Sequence, residues 1–300
     1  MKRTTKKRKS TRRGSQPEFK WLGSTRTWLV VAWIGTFCAM AYGLHRLEPY
    51  TQAIKLDDTS IEWVGAPAWL ADANWRHVLP ELEGRVQLDP DTDPFDERVC
   101  PWVAERLAGS AWVERVRRVT KQTDGHVKVY ASFRKPFAMV EQAGVAYLVD
   151  DAGVRLPEQW ASGALNRSGW FVIRGVAAAV PATGERWHGE DLAAGLKLAR
   201  FLYRAESANR LPFRDEIHAI DVANFHRHKD PRAGRLRLVT RNRQTYIHWG
   251  LPPGEEYDIE SSAELKLKNL TRLYASRGRF PDRRSIDVRA DDSIWLKDGD

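Results

Sequence analysis

Residues 111–138 read AWVERVRRVTKQTDGHVKVYASFRKPFA, and the fold turns on how this stretch is taken. Val113, Val116 and Val119 recur every three residues, a spacing that by itself decides neither for a strand nor for a helix. The residues beyond Lys121 decide it. Asp124-Gly125 is a turn signal, and after it Val127, Val129, Ala131 and Phe133 alternate with Lys128, Tyr130, Ser132 and Arg134. Alternation with a period of two is the mark of a strand with one buried face, so the stretch reads as a β-hairpin.

Upstream, residues 59–65 (TSIEWVG) alternate loosely and are expected to form a strand. Residues 67–82 are expected to be helical, with Trp69, Trp75 and Leu79 among the apolar positions. Asp93-Pro94 supplies a capping acid and a proline suited to a first helical position. Phe95, Val99, Trp102, Val103 and Leu107 come next at helical spacing, and Gly109 ends the run. Pro101 should kink or restart that helix, since it lacks the amide the ladder needs. The order over 59–135 is strand, helix, helix, strand, strand.

Downstream of Pro136, short strands are expected at 137–142, 145–149, 153–156 and 169–175, with a turn at 151–153. An amphipathic helix over 191–205 has Leu192, Leu196, Ala199, Leu202 and Tyr203 on one side. Strands at 217–222, 235–240 and 245–249 lead to a helix opened by a Ser261/Glu264 capping box and closed after Arg277 by Gly278. Two candidate strands, 285–289 and 293–297, end the chain. The fold class is therefore α+β: a β-α-α-β-β module over 59–135, then a β-rich domain with two main helices over 136–300.

The N-terminus is different in kind. Of 48 Lys and Arg and 39 Asp and Glu, residues 1–26 hold ten bases and one acid, leaving 38 of each sign for the rest. The sequence pI of 9.6 thus belongs to a tail that reads as disordered. A nucleic-acid-binding domain would carry its excess on a folded face, so no nucleic-acid partner is expected. Residues 27–44, TWLVVAWIGTFCAMAYGL, are 18 residues without a charge. As a helix they span about 27 Å, near the thickness of a bilayer's hydrocarbon core. Arg26 and Arg46 bracket the run, Trp28 stands near one interface and Tyr42 near the other, so these four are the expected membrane-anchor flanks.

A buried core helix would need a polar stripe, which is missing. A cleaved signal peptide is the sharper rival, because Ala39-Met40-Ala41 fits a cleavage site. The excess of bases before the helix puts the N-terminus in the cytoplasm and residues 47–300 outside it, with 45–58 as a linker. Cys38 and Cys100 then lie in different compartments and cannot pair. The basic tail could bind nucleic acid, bind anionic lipid or only set orientation, and orientation needs no further assumption.

No catalytic constellation is evident. G-x-S-x-G, G-x-G-x-x-G, G-K-[ST] and H-E-x-x-H are all missing from the chain. His226-Arg227-His228 reads as a loop rather than a metal site. Asp57-Asp58 and Asp150-Asp151 read as turn acids. The expectation is a protein without catalytic residues, metal, cofactor or small-molecule substrate.

Trp112-Val113-Glu114-Arg115-Val116-Arg117-Arg118-Val119, then Val127-x-Val129, then Arg134-Lys135-Pro136-Phe137-Ala138, looks like the end of the POTRA module in the FtsQ/DivIB family of bacterial cell-division proteins. Tyr147-Leu148-Val149-Asp150-Asp151-Ala152-Gly153-Val154 is similar to the hairpin that opens its β domain. Leu238-Val239-Thr240, Ile247-His248-Trp249-Gly250-Leu251 and Glu264-Leu265-Lys266-Leu267-Lys268-Asn269-Leu270 resemble a run near the family's end. Ser285-Ile286-Asp287-Val288-Arg289 looks like its next strand. The likeness covers the chain in order.

It implies a non-enzymatic inner-membrane scaffold at the division septum, with a POTRA-like module and a β domain in the periplasm holding membrane proteins of the FtsB/FtsL type. It also places partner contact on the last strands and the helix before them. Ser293, Ile294, Trp295, Leu296 and Lys297 are the candidate partner-binding residues, reached by β-strand addition with Trp295 as apolar anchor. The plainer alternative has Trp295 packing on a neighbouring strand. The rival function is a membrane-anchored extracytoplasmic enzyme acting on the cell envelope.

Overall fold

A computed structural model of the chain describes residues 25–52, 61–87, 96–122, 126–163, 169–226, 234–257, 260–282, 284–290 and 295–298. Residues 1–24 of the expected 1–26 tail, the Asp93-Pro94 helix start, the Asp124-Gly125 turn, and Arg227 and His228 of the expected loop lie outside them. The chain divides into two units, Met1–Asp57 and Asp58–Asp300.

The first unit contains one long helix, α1 (Thr25–Gln52). Its segment Trp28–Arg46 is long and apolar enough to cross a membrane, and every residue of it is exposed. The helix runs past the expected end at Leu44, through Pro49 to Gln52. Arg46 reaches back one turn, its Nε donating to the Tyr42 hydroxyl at 3.3 Å with the guanidinium 5.7 Å from the ring centre.

The second unit begins with β1 (Ile61–Val64), a 3-10 turn (Ala68–Ala71), α2 (Val78–Arg85), α3 (Val99–Ala108), β2 (Val113–Lys121) and β3 (Val127–Phe133). These strands form one sheet in the order β1-β3-β2, with β1 parallel and β2 antiparallel to β3. The two helices start later than the periodicity suggests. The expected 67–82 helix is a 3-10 turn, a bend and only then α2, and the second helix opens at Val99. One cause serves both. Pro80 and Pro101 each fall at the third residue of their helix, inside the first turn, where an amide has no partner to lose.

The valines at 113, 116 and 119 are explained by register. Val113 pairs with Phe133, Val116 with Ala131 and Val119 with Val129, with shifts after Val113 and after Val116. Each shift is a β-bulge that absorbs one residue, first Glu114 and then Arg117. Two bulges turn a period of two into a period of three, so all three valines meet the same core.

Residues 136–300 build a nine-stranded sheet from β4 (Pro136–Gln142), β5 (Val145–Asp150), β6 (Arg155–Ala161), β7 (Val172–Arg174), β8 (Ile217–Asp221), β9 (Leu236–Thr240), β10 (Tyr246–Gly250), β11 (Arg284–Asp287) and β12 (Trp295–Asp298). The spatial order is β12-β11-β10-β9-β8-β7-β4-β5-β6. The parallel pairs β7/β8 and β10/β11 need crossovers. α4 (Glu190–Ser207) and α5 (Ala263–Arg277) supply them.

Helix α4 sits close to the sheet at Gly195, where a Cβ would lie 2.9 Å from the Ile173 side chain. The helix-side core gathers Val140, Ile173, Ile220, Leu238, Ile247 and Ile286 with Leu192, Leu202, Leu267 and Leu270. The other sheet face adds Met139, Val172, Ala219 and Val239 to Leu70, Val78, Leu82, Val103, Leu107 and Trp112, in a core that runs across the 135/136 boundary. Trp75 joins the two sides, with ring centres 5.7 Å from Trp112 and 6.2 Å from Trp170. The His77 ring and the Glu158 carboxylate meet at 3.0 Å across the same boundary.

Candidate functional site

The last two strands and α5 form one end of the large sheet. Ser262 caps α5, its hydroxyl accepting from the Leu265 amide at 3.3 Å, and Gly278 closes it in the left-handed region. The cap is thus one residue beyond the expected Ser261. That residue is buried, and its amide donates to the Arg289 carbonyl at 2.8 Å, tying the helix start to the segment after β11.

Beneath this end lies a buried ion pair. Lys266 is fully buried, and its Nζ donates to Glu260 Oε2 at 2.8 Å. The same oxygen accepts the Leu251 amide at 2.8 Å. The ammonium stands 5.7 Å from the centre of the buried Trp249 ring. Gly250 is required here, because φ is +91° and any Cβ would collide with the Glu260 carboxylate. The pair joins the end of β10 to the first turns of α5.

Strand register sorts the sheet into rows. Val140, Ile173, Ile220, Leu238, Ile247, Ile286 and Leu296 are mutual partners across seven strands, and the first six belong to the helix-side core. The neighbouring row, Glu141, Arg174, Asp221, Arg237, His248, Asp287 and Trp295, lies one residue along each strand. Side chains alternate along a strand, so Glu141 through Asp287 of this row belong to the opposite face.

The second row is polar and ordered. Asp221 Oδ2 accepts from Arg174 at 3.2 Å and from Arg237 at 3.1 Å, and both guanidiniums lie near the Tyr246 ring, at 6.0 and 5.1 Å from its centre. His248 Nδ1 accepts the Gly234 amide at 3.3 Å, so Nε2 carries the proton toward the Ser285 hydroxyl at 2.7 Å. Burial pushes the Asp287 carboxyl up. Donation from the Arg289 side chain at 2.6 and 2.9 Å and from its amide at 3.0 Å outweighs that and holds the group below the usual range.

The sequence-expected site falls partly into place. Among the described residues β12 is the outermost strand of the sheet and pairs with β11 alone, with Trp295 beside Asp287, Leu296 beside Ile286 and Lys297 beside Ser285. The described part of the strand spans Trp295–Asp298, and the expected Ser293 and Ile294 lie outside the described residues. Among the expected membrane flanks, Arg26, Trp28, Tyr42 and Arg46 all fall within α1. The polar row and the Lys266–Glu260 pair are not anticipated by the sequence reading. The row is invisible in sequence because its members are spread over 155 positions and meet only through register.

A concave region lies elsewhere. Trp170, Glu206, Arg214, Asp215, His218 and Arg241 line a cleft of about 120 Å³. Burial, then the Arg243 charge, lowers the His218 pKa below its ordinary value. The Arg214 guanidinium lies 3.9 Å from the centre of the Phe171 ring, whose backbone amide donates to the Tyr203 hydroxyl at 3.1 Å. Burial raises the Tyr203 pKa. Among the described residues, no three His, Cys, Asp or Glu side chains gather as a metal-ligand set.

No protein-family model and no curated protein matches this chain.

Proposed function

We propose that the chain is a non-enzymatic, single-pass scaffold of the bacterial cell-division machinery in the inner membrane. Its tail is cytoplasmic, and residues 47–300 stand in the periplasm at the division site. The observation that carries the reading is the position of β12, outermost in the large sheet among the described residues. That sheet comes after a β-α-α-β-β module and an N-terminal apolar helix, the arrangement implied by the FtsQ/DivIB resemblance.

An edge strand offers unpaired amides and carbonyls to another chain. A partner segment of the FtsB/FtsL type adds there as a tenth strand, with Trp295 as the apolar anchor at the end of the polar row. The POTRA-like module over 59–135 carries the β domain of 136–300, and α1 holds both at the membrane surface.

The test combines place and partner. A fluorescent fusion of the full chain should collect at the septum of dividing cells. Protease added outside spheroplasts should remove residues beyond about 50 and spare the tail. Truncating a hot-spot aromatic costs about 2 kcal/mol or more, roughly 30-fold in affinity. Trp295→Ala should therefore weaken co-purification of division proteins while the melting temperature stays unchanged. A diffuse fusion, or full partner recovery with the variant, overturns the reading.

A further inference from the structure

The three-stranded sheet has two faces, and only one is occupied by α2 and α3. Register puts Arg115 opposite Ser132 and Arg118 opposite Tyr130, on the face away from the valine core, and the second bulge adds Arg117 beside them. Lys128 shares that face and pairs with Glu62 at 3.1 Å. Arg115, Arg117 and Arg118 are exposed, and among the described residues none of them forms an ion pair. Arg117 donates to the Ser132 hydroxyl at 3.2 Å, and the Arg118 guanidinium lies 5.3 Å from the centre of the Tyr130 ring. A strand of nine residues thus presents three uncompensated guanidiniums, in a chain whose residues beyond 26 balance in charge.

We propose that this outward sheet face docks on the anionic phospholipid headgroups of the membrane that α1 enters. A guanidinium fork engages phosphate oxygens two at a time, and a tyrosine ring suits the headgroup level, with an apolar body and a polar tip. The bulges in β2 work against a rival use of the strand, because a bulged edge is a poor template for strand addition. The face therefore binds through side chains.

Lipid is the occupant favoured over an acidic protein by chain connectivity. Only eight residues separate the end of α1 from β1, the first strand of this sheet. A chain anchored by α1 keeps the sheet tethered to the same bilayer, where the headgroup phosphates are always present at high local concentration. The proposal requires α1 to lie in a bilayer and does not depend on a role in division.

The full chain is reconstituted into nanodiscs of phosphatidylcholine alone or with one third phosphatidylglycerol, and hydroxyl-radical footprinting reads Tyr130. Docking predicts that oxidation of Tyr130 falls about tenfold in the anionic discs. The protection disappears in 0.5 M salt, where the screening length is about 4 Å. It also disappears in the triple variant Arg115→Ser, Arg117→Ser, Arg118→Ser, whose fold is checked by unchanged oxidation of Trp102 and Met139. The basic tail is the same in both chains, so it cannot produce the difference between them. Equal oxidation in both discs, or protection that survives the triple variant, overturns the proposal. Protection that appears only when an acidic protein is added assigns the face to a protein instead and equally overturns it.

Discussion

His218 is held between a strand core and a cleft, and burial keeps its imidazole neutral more strongly than water would. In the unfolded chain the group titrates near its ordinary 6.5, so on acidification the unfolded state takes up the proton first. Stability then falls as pH drops from 7 through the lowered folded pKa. His218→Gln should flatten this slope by at most about 1.4 kcal/mol per pH unit, measured by urea unfolding at pH 7, 6 and 5. An unchanged slope would show that the ring is solvated.

Lys266 makes a second argument at this scale. A lysine between two leucines in an amphipathic helix would be assigned to the solvent side, yet it is fully buried against Glu260. Removing one member of such a pair strands the other charge and typically costs about 3–5 kcal/mol. Lys266→Met should therefore destabilise the protein strongly, and adding Glu260→Gln should restore a good part of the loss, as read by chemical denaturation. A double variant no better than the single one would mean that the Leu251 amide contact matters more than charge.

Among elements, β2 is the one whose local pattern and structure diverge. The strand is legible only from the hairpin around it, because its own period of three is not a strand period. The two bulges that reconcile them depend on pairing with β3, which no local pattern displays. Deleting Glu114 removes the first bulge and leaves Val113 and Val116 two positions apart, so plain alternation keeps both on the core face. The deletion should therefore cost less than exposing a valine, about 1.5–3 kcal/mol, and Glu114→Ala should change stability by less than about 0.5 kcal/mol. Thermal melts of the two variants distinguish a bulge that is required from one that is incidental. The helices teach a related lesson. Pro80 and Pro101 are visible in the sequence, but the apolar spacing before them extends both expected helices too far, and the proline rule prevails.

On the scale of the whole molecule, the second core matters most. It combines residues from both sides of the 135/136 boundary, with Trp75, Trp112 and Trp170 at their meeting. A shared core couples the two sides, so residues 58–300 should unfold in one transition. Trp75→Ala should cost about 3–5 kcal/mol and lower the melting temperature of both sheets together, with amide exchange in β3 and β8 accelerating in parallel. Exchange that accelerates in β3 alone would show that the halves are independent.

The sequence alone determined whatever depends on neighbours in the chain. The apolar run of α1, the alternation of β3, the amphipathic stripe of α4 and the glycine that ends α5 are local signals, and the last three lie within a few residues of their expected places, while α1 runs eight residues beyond its expected end. The tertiary structure decided what depends on residues far apart. It placed β12 at the outermost position of the large sheet, aligned Glu141 through Trp295 in one row, buried Lys266 and turned three arginines to one face. The physical reason is that hydrogen-bond ladders and packed cores join positions by space rather than by chain order, so an edge, a row or a charged face exists only once the strands have found their partners.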